Sequence, residues 1–149
     1  NLIPACADCN KIKDTYQPSI SEEEIIHPYY DDISNQQYLY ASLEETTPPS
    51  INFYIKLSDP ASIIEKRLKK HFSLFKLNEL YTSNAAEELS NISYRLSKLY
   101  TTGRKESVID YLKEEFESRY VNNKNSWQTA MYKTLYVNNW FCDGGFKIE

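Results

Sequence analysis

The segment Asn84 to Leu99, NAAEELSNISYRLSKL, decides the fold class of this chain. Apolar residues recur in it every three or four positions, which places them on one face of a helix: Ala85, Leu89, Ile92, Leu96 and Leu99. Asn84 and Glu87 have the spacing of a capping box and predict a helix start, and Gly103 predicts the end of that helix. The stripe is therefore expected to belong to a helical core.

Similar patterns on both sides of this segment predict three further helices. Asp59 and Pro60 predict a helix start, because Asp favours the N-cap and Pro the first helical position. Another helix is expected around Val108, and Ser126 predicts the cap of the last one. The apolar positions of these three helices are Ile64, Leu68, His71, Phe72, Phe75, Val108, Ile109, Leu112, Phe116, Tyr120, Trp127, Ala130, Met131 and Leu135.

Two segments upstream of the helices alternate apolar and polar residues and predict β-strands. They run over residues 37–43 and 51–57. Pro48 and Pro49 lie in the connection between them, where they disturb no hydrogen-bonded ladder, so an antiparallel pair is expected. The predicted fold class is mainly α (α+β), with a short β-hairpin packed on a four-helix C-terminal region.

The composition indicates a folded chain without a membrane segment. Its 149 residues suffice for one compact domain or one domain with a small appendage. Apolar runs stay well below the roughly 18 residues that a membrane helix needs. Three cysteines are an odd number, which argues against a disulfide framework and for a reducing, cytoplasmic location. Cys142 is expected to be a small buried hydrophobic residue.

The charge is distributed unevenly along the chain. The formal net charge is −4, but residues 1–50 hold two lysines against nine acidic residues, a net charge of −7. The rest of the chain carries +3. A surface for nucleic acid would therefore have to be a local patch, and Lys66, Arg67, Lys69 and Lys70 form one candidate. The alternative is a solvated helix face.

The first thirteen residues, NLIPACADCNKIK, combine Asn1, a Cys6-x-x-Cys9 pair, Asn10 and Lys13, with a helix expected to start at Cys9 or Asn10. This string resembles the second half of the HNH nuclease motif, the ββα-metal fold that hydrolyses phosphodiester bonds. The resemblance implies a partial ββα-metal motif with the strand pair over residues 1–58 and a helical extension over 59–149, sharing one core. Residues 125–128 and 140–142 are similar to elements of such extensions.

The resemblance also implies roles for individual residues. Asn1 would brace the motif and orient a general-base histidine, and Asn10 would bind Mg²⁺ or Mn²⁺ through its amide oxygen. Cys6 and Cys9 would supply half of a structural Zn²⁺ site. Lys11 and Lys13 would contact DNA. The other zinc ligands are expected from an upstream cysteine pair or from Cys142 or His27, unless the two cysteines only shape a turn.

The two histidines of the chain both follow the motif. His27, in His-Pro-Tyr-Tyr-Asp-Asp, is a candidate catalytic residue that faces the metal site or a phosphate, or else part of a rigid turn. His71 is expected to be a packed histidine of a helix stripe. Since the histidine that precedes the motif in the family has no counterpart in the printed sequence, this chain alone is expected to be inactive.

Two functions from different classes follow from these patterns. The first is part of a metal-dependent HNH DNA endonuclease of a bacterial defence system or mobile element. The alternative is a non-catalytic helical interaction module that docks a partner subunit, such as a defence ATPase. Thirteen tyrosines and the mainly helical pattern motivate the second interpretation.

Overall fold

A computed structural model describes residues 6–27 and 31–147 of the chain. Within these ranges a short helix is followed by a β-hairpin, three α-helices and one turn of π-helix, with a 3-10 turn at Ser21–Glu23. The elements are α1 (Ala7–Thr15), β1 (Leu39–Glu44), β2 (Ser50–Ile55), α2 (Ile63–Leu74), α3 (Leu77–Asn122), α4 (Trp127–Val137) and the π-turn Phe141–Gly145. The mainly helical α+β class is confirmed.

β1 and β2 form the antiparallel pair that the alternation predicted. Leu39 lies opposite Ile55 and Ala41 opposite Phe53, and the side chains of Leu39 and Phe53 are buried. The second strand ends two residues earlier than predicted, at Ile55. A tertiary contact explains this earlier end, because the backbone N–H of Leu57 donates to the Glu65 carboxylate at 2.6 Å and not to the neighbouring strand.

Side chains of α3 and of the connection between α3 and α4 satisfy backbone groups along both outer edges of this sheet. On β2, the N–H of Phe53 donates to the Asn78 side chain at 2.7 Å, and the Thr82 hydroxyl donates to the carbonyl of Ile51 at 2.8 Å. At the start of β1, the Asn125 amide oxygen accepts from the N–H of Leu39 at 3.3 Å. An isolated two-stranded sheet is marginal, so these bonds help to fix it on the helices.

α2 begins three residues later than the Asp59-Pro60 pair predicted. Its N-cap is Ser62, whose hydroxyl accepts from the N–H of Glu65 at 3.1 Å. The Asp59 side chain accepts from the N–H of Ala61 within the preceding turn. Asp and Ser are both favoured at the N-cap. Burial of the Glu65 carboxylate selects the helix start that is capped by Ser62 and not the one capped by Asp59.

The predicted helix start at Asn84 is wrong, because Asn84 lies inside α3. This helix starts at Leu77, directly after Lys76, which has left-handed backbone angles (φ 51°, ψ 42°). The apolar stripe itself is correct: Ala85, Leu89, Ile92 and Leu96 are buried.

α3 is a helical hairpin whose two limbs meet at Arg104. The backbone of Arg104 is not helical (φ 57°, ψ −152°). The Arg95 guanidinium lies 4.3 Å from the ring centre of Tyr111, whereas sixteen residues of straight helix would span about 24 Å. A Cβ on Gly103 would lie 1.7 Å from Ser107 Oγ, so the turn requires glycine there. The end predicted at Gly103 is confirmed to within one residue.

Strands and helices share one apolar core, which includes Ile51 and Phe53 of the sheet and Leu112, Met131 and Leu135 of the helices. Ser126 caps α4 as predicted, with its hydroxyl accepting from the N–H of Thr129. Of the helices in the described ranges, none has the length and apolar character needed to cross a bilayer.

Cys142 is fully buried, as predicted, and its thiol donates to the carbonyl of Leu135 at 3.3 Å. Burial raises the pKa of this thiol to about 11, so it stays protonated at neutral pH. A protonated, hydrogen-bonded thiol in the core is a structural group and not a ligand for a metal near α1.

A small cavity of about 150 Å³ separates α2 from the sheet, and its wall includes His71, Tyr38 and Tyr81. Within the described chain, Nδ1 of His71 is buried without a hydrogen-bond partner. Burial lowers the pKa of His71, because the charged imidazolium is poorly solvated there. The prediction of a packed histidine is confirmed.

The buried imidazole makes stability depend on pH. Below about pH 6.5 the unfolded chain binds a proton at His71 that the folded chain resists, so stability falls as the pH falls. His71→Leu is expected to reduce the difference between the urea unfolding free energies at pH 7.5 and pH 5. The same measurements on His27→Gln give the contribution of the other histidine. Equal pH dependence of wild type and His71→Leu would contradict this assignment.

Candidate functional site

The Cys6-x-x-Cys9 pair forms the start of α1. Cys6 is the N-cap, and its sulfur accepts from the backbone N–H of Cys9 at 3.3 Å. The helix therefore begins at Ala7, two residues before the earlier of the two predicted starts. Cys6 is exposed and Cys9 half-buried, and both are unbridged. The two thiols thus lie together at the open end of a short helix.

The environment of these cysteines favours one thiolate. Hydrogen bonding from the Cys9 side chain, followed by the Cys9 backbone N–H, lowers the pKa of Cys6. The same interaction raises the pKa of Cys9, which acts as the donor. Metals bind the thiolate form, so Cys6 is the more readily available ligand of the pair.

The described residues do not complete a metal site around this pair. In the ranges 6–27 and 31–147, no three or more His, Cys, Asp or Glu side chains are grouped so that they could hold a metal ion. Cys142 is committed to the core, and His27 lines a cleft that includes neither cysteine. The structure thus brings together two of the four ligands that a structural zinc requires.

Asn10 lies on the exposed side of the first turns of α1. Its backbone N–H donates to the carbonyl of Cys6 at 2.9 Å, and its side-chain amide donates to Asp14 at 3.4 Å. The carboxamide is exposed and not packed among apolar residues. It does not belong to the wall of the cleft that Lys13 lines. Asn1 lies outside the described residues.

A cleft of about 500 Å³ lies between α1, α2 and a third wall formed by residues 24–27 and Asp31. It contains two of the predicted site residues, Lys13 and His27. Arg67 and Asp31 complete its polar wall, and Tyr16, Pro18, Glu24 and Ile25 form the remainder. Lys11, the other predicted DNA contact, is exposed on α1 and is not part of this wall. The structure therefore joins Lys13 to His27 in one cleft, and Asn10 lies three residues before Lys13 on α1, outside the wall of that cleft.

Arg67 holds the segment that carries His27. Its guanidinium lies 3.0 Å from both carboxylate oxygens of Asp31, and it donates to the carbonyls of Ile25 at 3.1 Å and Glu24 at 3.3 Å. Asp31 in turn accepts from the backbone N–H of His27 at 2.7 Å, and its own N–H donates to the His27 carbonyl. The turn is thus closed on both sides by Asp31.

The basic residues of α2 are engaged within the molecule. Lys66 pairs with Glu22 at 2.8 Å, Lys69 pairs with Glu65, and the Lys70 ammonium lies 5.1 Å from the ring centre of Tyr16. Arg67 pairs with Asp31, so each of the four residues of the candidate nucleic-acid patch has a partner within the molecule. These contacts fasten Tyr16, Glu22 and Asp31 to α2, a role that neither sequence interpretation anticipated.

Comparisons with known proteins give one significant relative. The chain is similar to Protein ea31 of Escherichia phage lambda, with 29% identity over 151 residues that cover 91% of this chain and 50% of that protein. It therefore spans about half the length of this curated relative. No family model matches the sequence, and no solved structure matches it. The likeness to HNH nucleases rests on the sequence patterns described above, chiefly residues 1–13.

Proposed function

We propose that this chain is part of a metal-dependent HNH DNA endonuclease that hydrolyses phosphodiester bonds and is associated with a mobile element or bacterial defence system. One observation carries the proposal: Cys6 caps a short helix that exposes Asn10 on its first turns and presents Lys13 to the cleft of His27. Similarity to a phage protein supports the mobile-element association.

The donor atoms fit the metals of this proposal in part. The amide oxygen of Asn10 is a hard ligand of the kind that Mg²⁺ or Mn²⁺ prefers, and Cys6 with Cys9 supplies two soft ligands for zinc. The remaining donors would come from residues outside the described ranges or from sequence that precedes Asn1. A divalent ion would stabilise charge on the phosphate, while Lys13 and His27 line the adjacent cleft.

The proposal is tested through Asn10. In the full-length protein that carries this chain, Asn10→Ala is expected to slow nicking of plasmid DNA in Mg²⁺ or Mn²⁺ by at least about 100-fold, because a metal ligand is lost. Asn91→Ala is a matched control, since Asn91 is also exposed on a helix. Equal cleavage by Asn10→Ala and wild type, at matched thermal stability, would refute the proposal.

The isolated chain gives a second test. It is expected to leave plasmid DNA uncut, because no general-base histidine precedes the Asn10 helix in it. Robust metal-dependent nicking by the pure chain would contradict the assigned division of roles and would point to His27. The alternative function, a helical module that docks a partner subunit such as a defence ATPase, stays a prediction.

A further inference from the structure

A second cleft, of about 460 Å³, lies beside the turn of the α3 hairpin and the π-turn after α4. Its lining includes the aromatic residue Trp140 and two lysines, Lys105 and Lys147. Asn139 and Thr47 add uncharged polar side chains, and Asp143, Gly144 and Gly145 form the base. None of these residues belongs to the site proposed for Asn10.

The indole of Trp140 is held in place by the backbone of the π-turn. A Cβ on Gly145 would lie 2.5 Å from Cε3 of the Trp140 ring, so the ring packs directly on the glycine. Gly144 has φ 111°, which favours glycine, and lets the chain turn next to Lys147. The ring is therefore a fixed wall of the cleft, as stacking on a planar ligand requires.

The two lysines lack carboxylate partners within the described chain, unlike the basic residues of α2. Salt bridges within the described chain are formed by Lys66, Arg67 and Lys69 of α2 and by Lys113 and Arg119 of α3. Neither Lys105 nor Lys147 takes part in one. The Lys147 ammonium lies 5.5 Å from the ring centre of Tyr100, and the neighbouring Arg104 lies 5.8 Å from it. Lys147 and Arg104 thus share the Tyr100 ring, near the Asp143 and Glu106 carboxylates that also act on Tyr100.

The one carboxylate of the lining is already engaged. Asp143 accepts a hydrogen bond from the Tyr100 hydroxyl at 2.9 Å, and this bond raises the pKa of Tyr100. The lining therefore has one more positive than negative charge, before Arg104 is included. A fixed aromatic wall next to ammonium groups that form no salt bridge within the described chain matches a ligand that has a planar ring and an attached anion.

We propose that this cleft binds a nucleoside phosphate unit, with its base on Trp140 and its phosphate between Lys105 and Lys147. The unit could come from a free nucleotide or from one position of a single strand, since both carry this chemistry. The inference is independent of Asn10 and of any bound metal.

The test uses tryptophan fluorescence, because Trp127 and Trp140 are the two tryptophans of the sequence. In Trp127→Phe, Trp140 is the sole reporter. We expect oligo(dT)₁₂ or ATP, titrated without divalent metal, to quench its emission saturably. Quenching by ATP alone assigns the site to free nucleotides, and quenching by the oligonucleotide alone assigns it to a strand. No quenching by either, or equal binding of inorganic phosphate, would overturn the proposal.

The lysines are tested in the same background. Lys105→Ala with Lys147→Ala is expected to weaken binding at least 10-fold and to lower the salt dependence of strand binding by about 0.7 per lost phosphate contact. Lys56→Ala with Lys113→Ala makes the same change in net charge at exposed positions and serves as the control. Equal weakening by both pairs, at unchanged urea midpoints, would overturn the proposal.

Asn10→Ala separates the two proposals. In the full-length protein this variant is expected to bind the nucleotide or oligonucleotide as the wild type does, while DNA cleavage is slowed as described above. Ligand binding and DNA cleavage are therefore measured separately, and either proposal can fail without the other. Trp140→Phe, followed by anisotropy of a labelled oligonucleotide or nucleotide, checks the stacking contact. Its affinity is expected to fall several-fold, because phenylalanine offers a smaller ring, and unchanged affinity would count against stacking on Trp140.

Discussion

Arg67→Ala is expected to lower the free energy of unfolding by about 3 kcal/mol and to release Glu24, Ile25 and Asp31 from α2. The substitution removes the partner of Asp31, whose side chain is only 9% exposed, and leaves that carboxylate without its cation. It also removes the donor to the carbonyls of Glu24 and Ile25. Loss of one member of a largely buried pair costs more than loss of a surface pair.

Urea unfolding gives the energy, and hydrogen exchange of the Asp31 and His27 amides reports release of the turn. Lys66→Ala is the matched control one residue away, since its pair with Glu22 is about 45% exposed and is expected to contribute less than about 1 kcal/mol. Arg67→Lys should recover part of the loss, because lysine keeps the charge without the planar fork. If Arg67→Ala costs no more than Lys66→Ala, the role assigned to Arg67 is wrong.

Asn125→Ala is expected to lower the free energy of unfolding by about 2–4 kcal/mol, because three backbone groups lose their hydrogen-bond partner at once. The Asn125 side chain accepts from the N–H groups of Tyr38 at 2.8 Å and Leu39 at 3.3 Å, and donates to the carbonyl of Gln36 at 2.7 Å. It therefore joins the start of α4 to the start of β1, almost ninety residues away in sequence.

Asn125→Asp separates these contributions. Aspartate retains an acceptor for Tyr38 and Leu39 but places a carboxylate oxygen against the carbonyl of Gln36, so an intermediate loss is expected. Asn122→Ala, at an exposed position nearby, is the control. Exchange rates of the Tyr38 and Leu39 amides should rise in Asn125→Ala, and unchanged protection there would show that this side chain does not hold the strand.

Local signals predicted much of the fold. Alternation identified both strands, Ser126 identified the start of α4, and Gly103 identified the turn of the α3 hairpin. The errors include the helix starts at Asp59 and Asn84: two residues can serve as the cap at the first, and at the second the helix begins earlier, after Lys76. At the first of these, the buried carboxylate of Glu65 bonds to Leu57 and so decides between two adequate caps.

The candidate site was predictable only where its residues are neighbours in sequence. Cys6 and Cys9 lie at one helix end because four residues of chain place them there. Arg67 and Asp31 are 36 residues apart, and no local pattern connects them. The four basic residues of α2 gave a charge signal. No local sequence pattern identified the partners that lie outside α2, which are Tyr16, Glu22 and Asp31.

The asparagines at the two sheet edges are also expected to protect the protein against polymerisation. Open strand edges act as templates for pairing with other molecules. Asn78 and Asn125 occupy backbone groups of β2 and β1 that such an incoming chain would otherwise bond. Concentrated solutions of a variant that lacks either amide should form fibrils or sheet-rich oligomers under conditions in which the wild type stays dispersed.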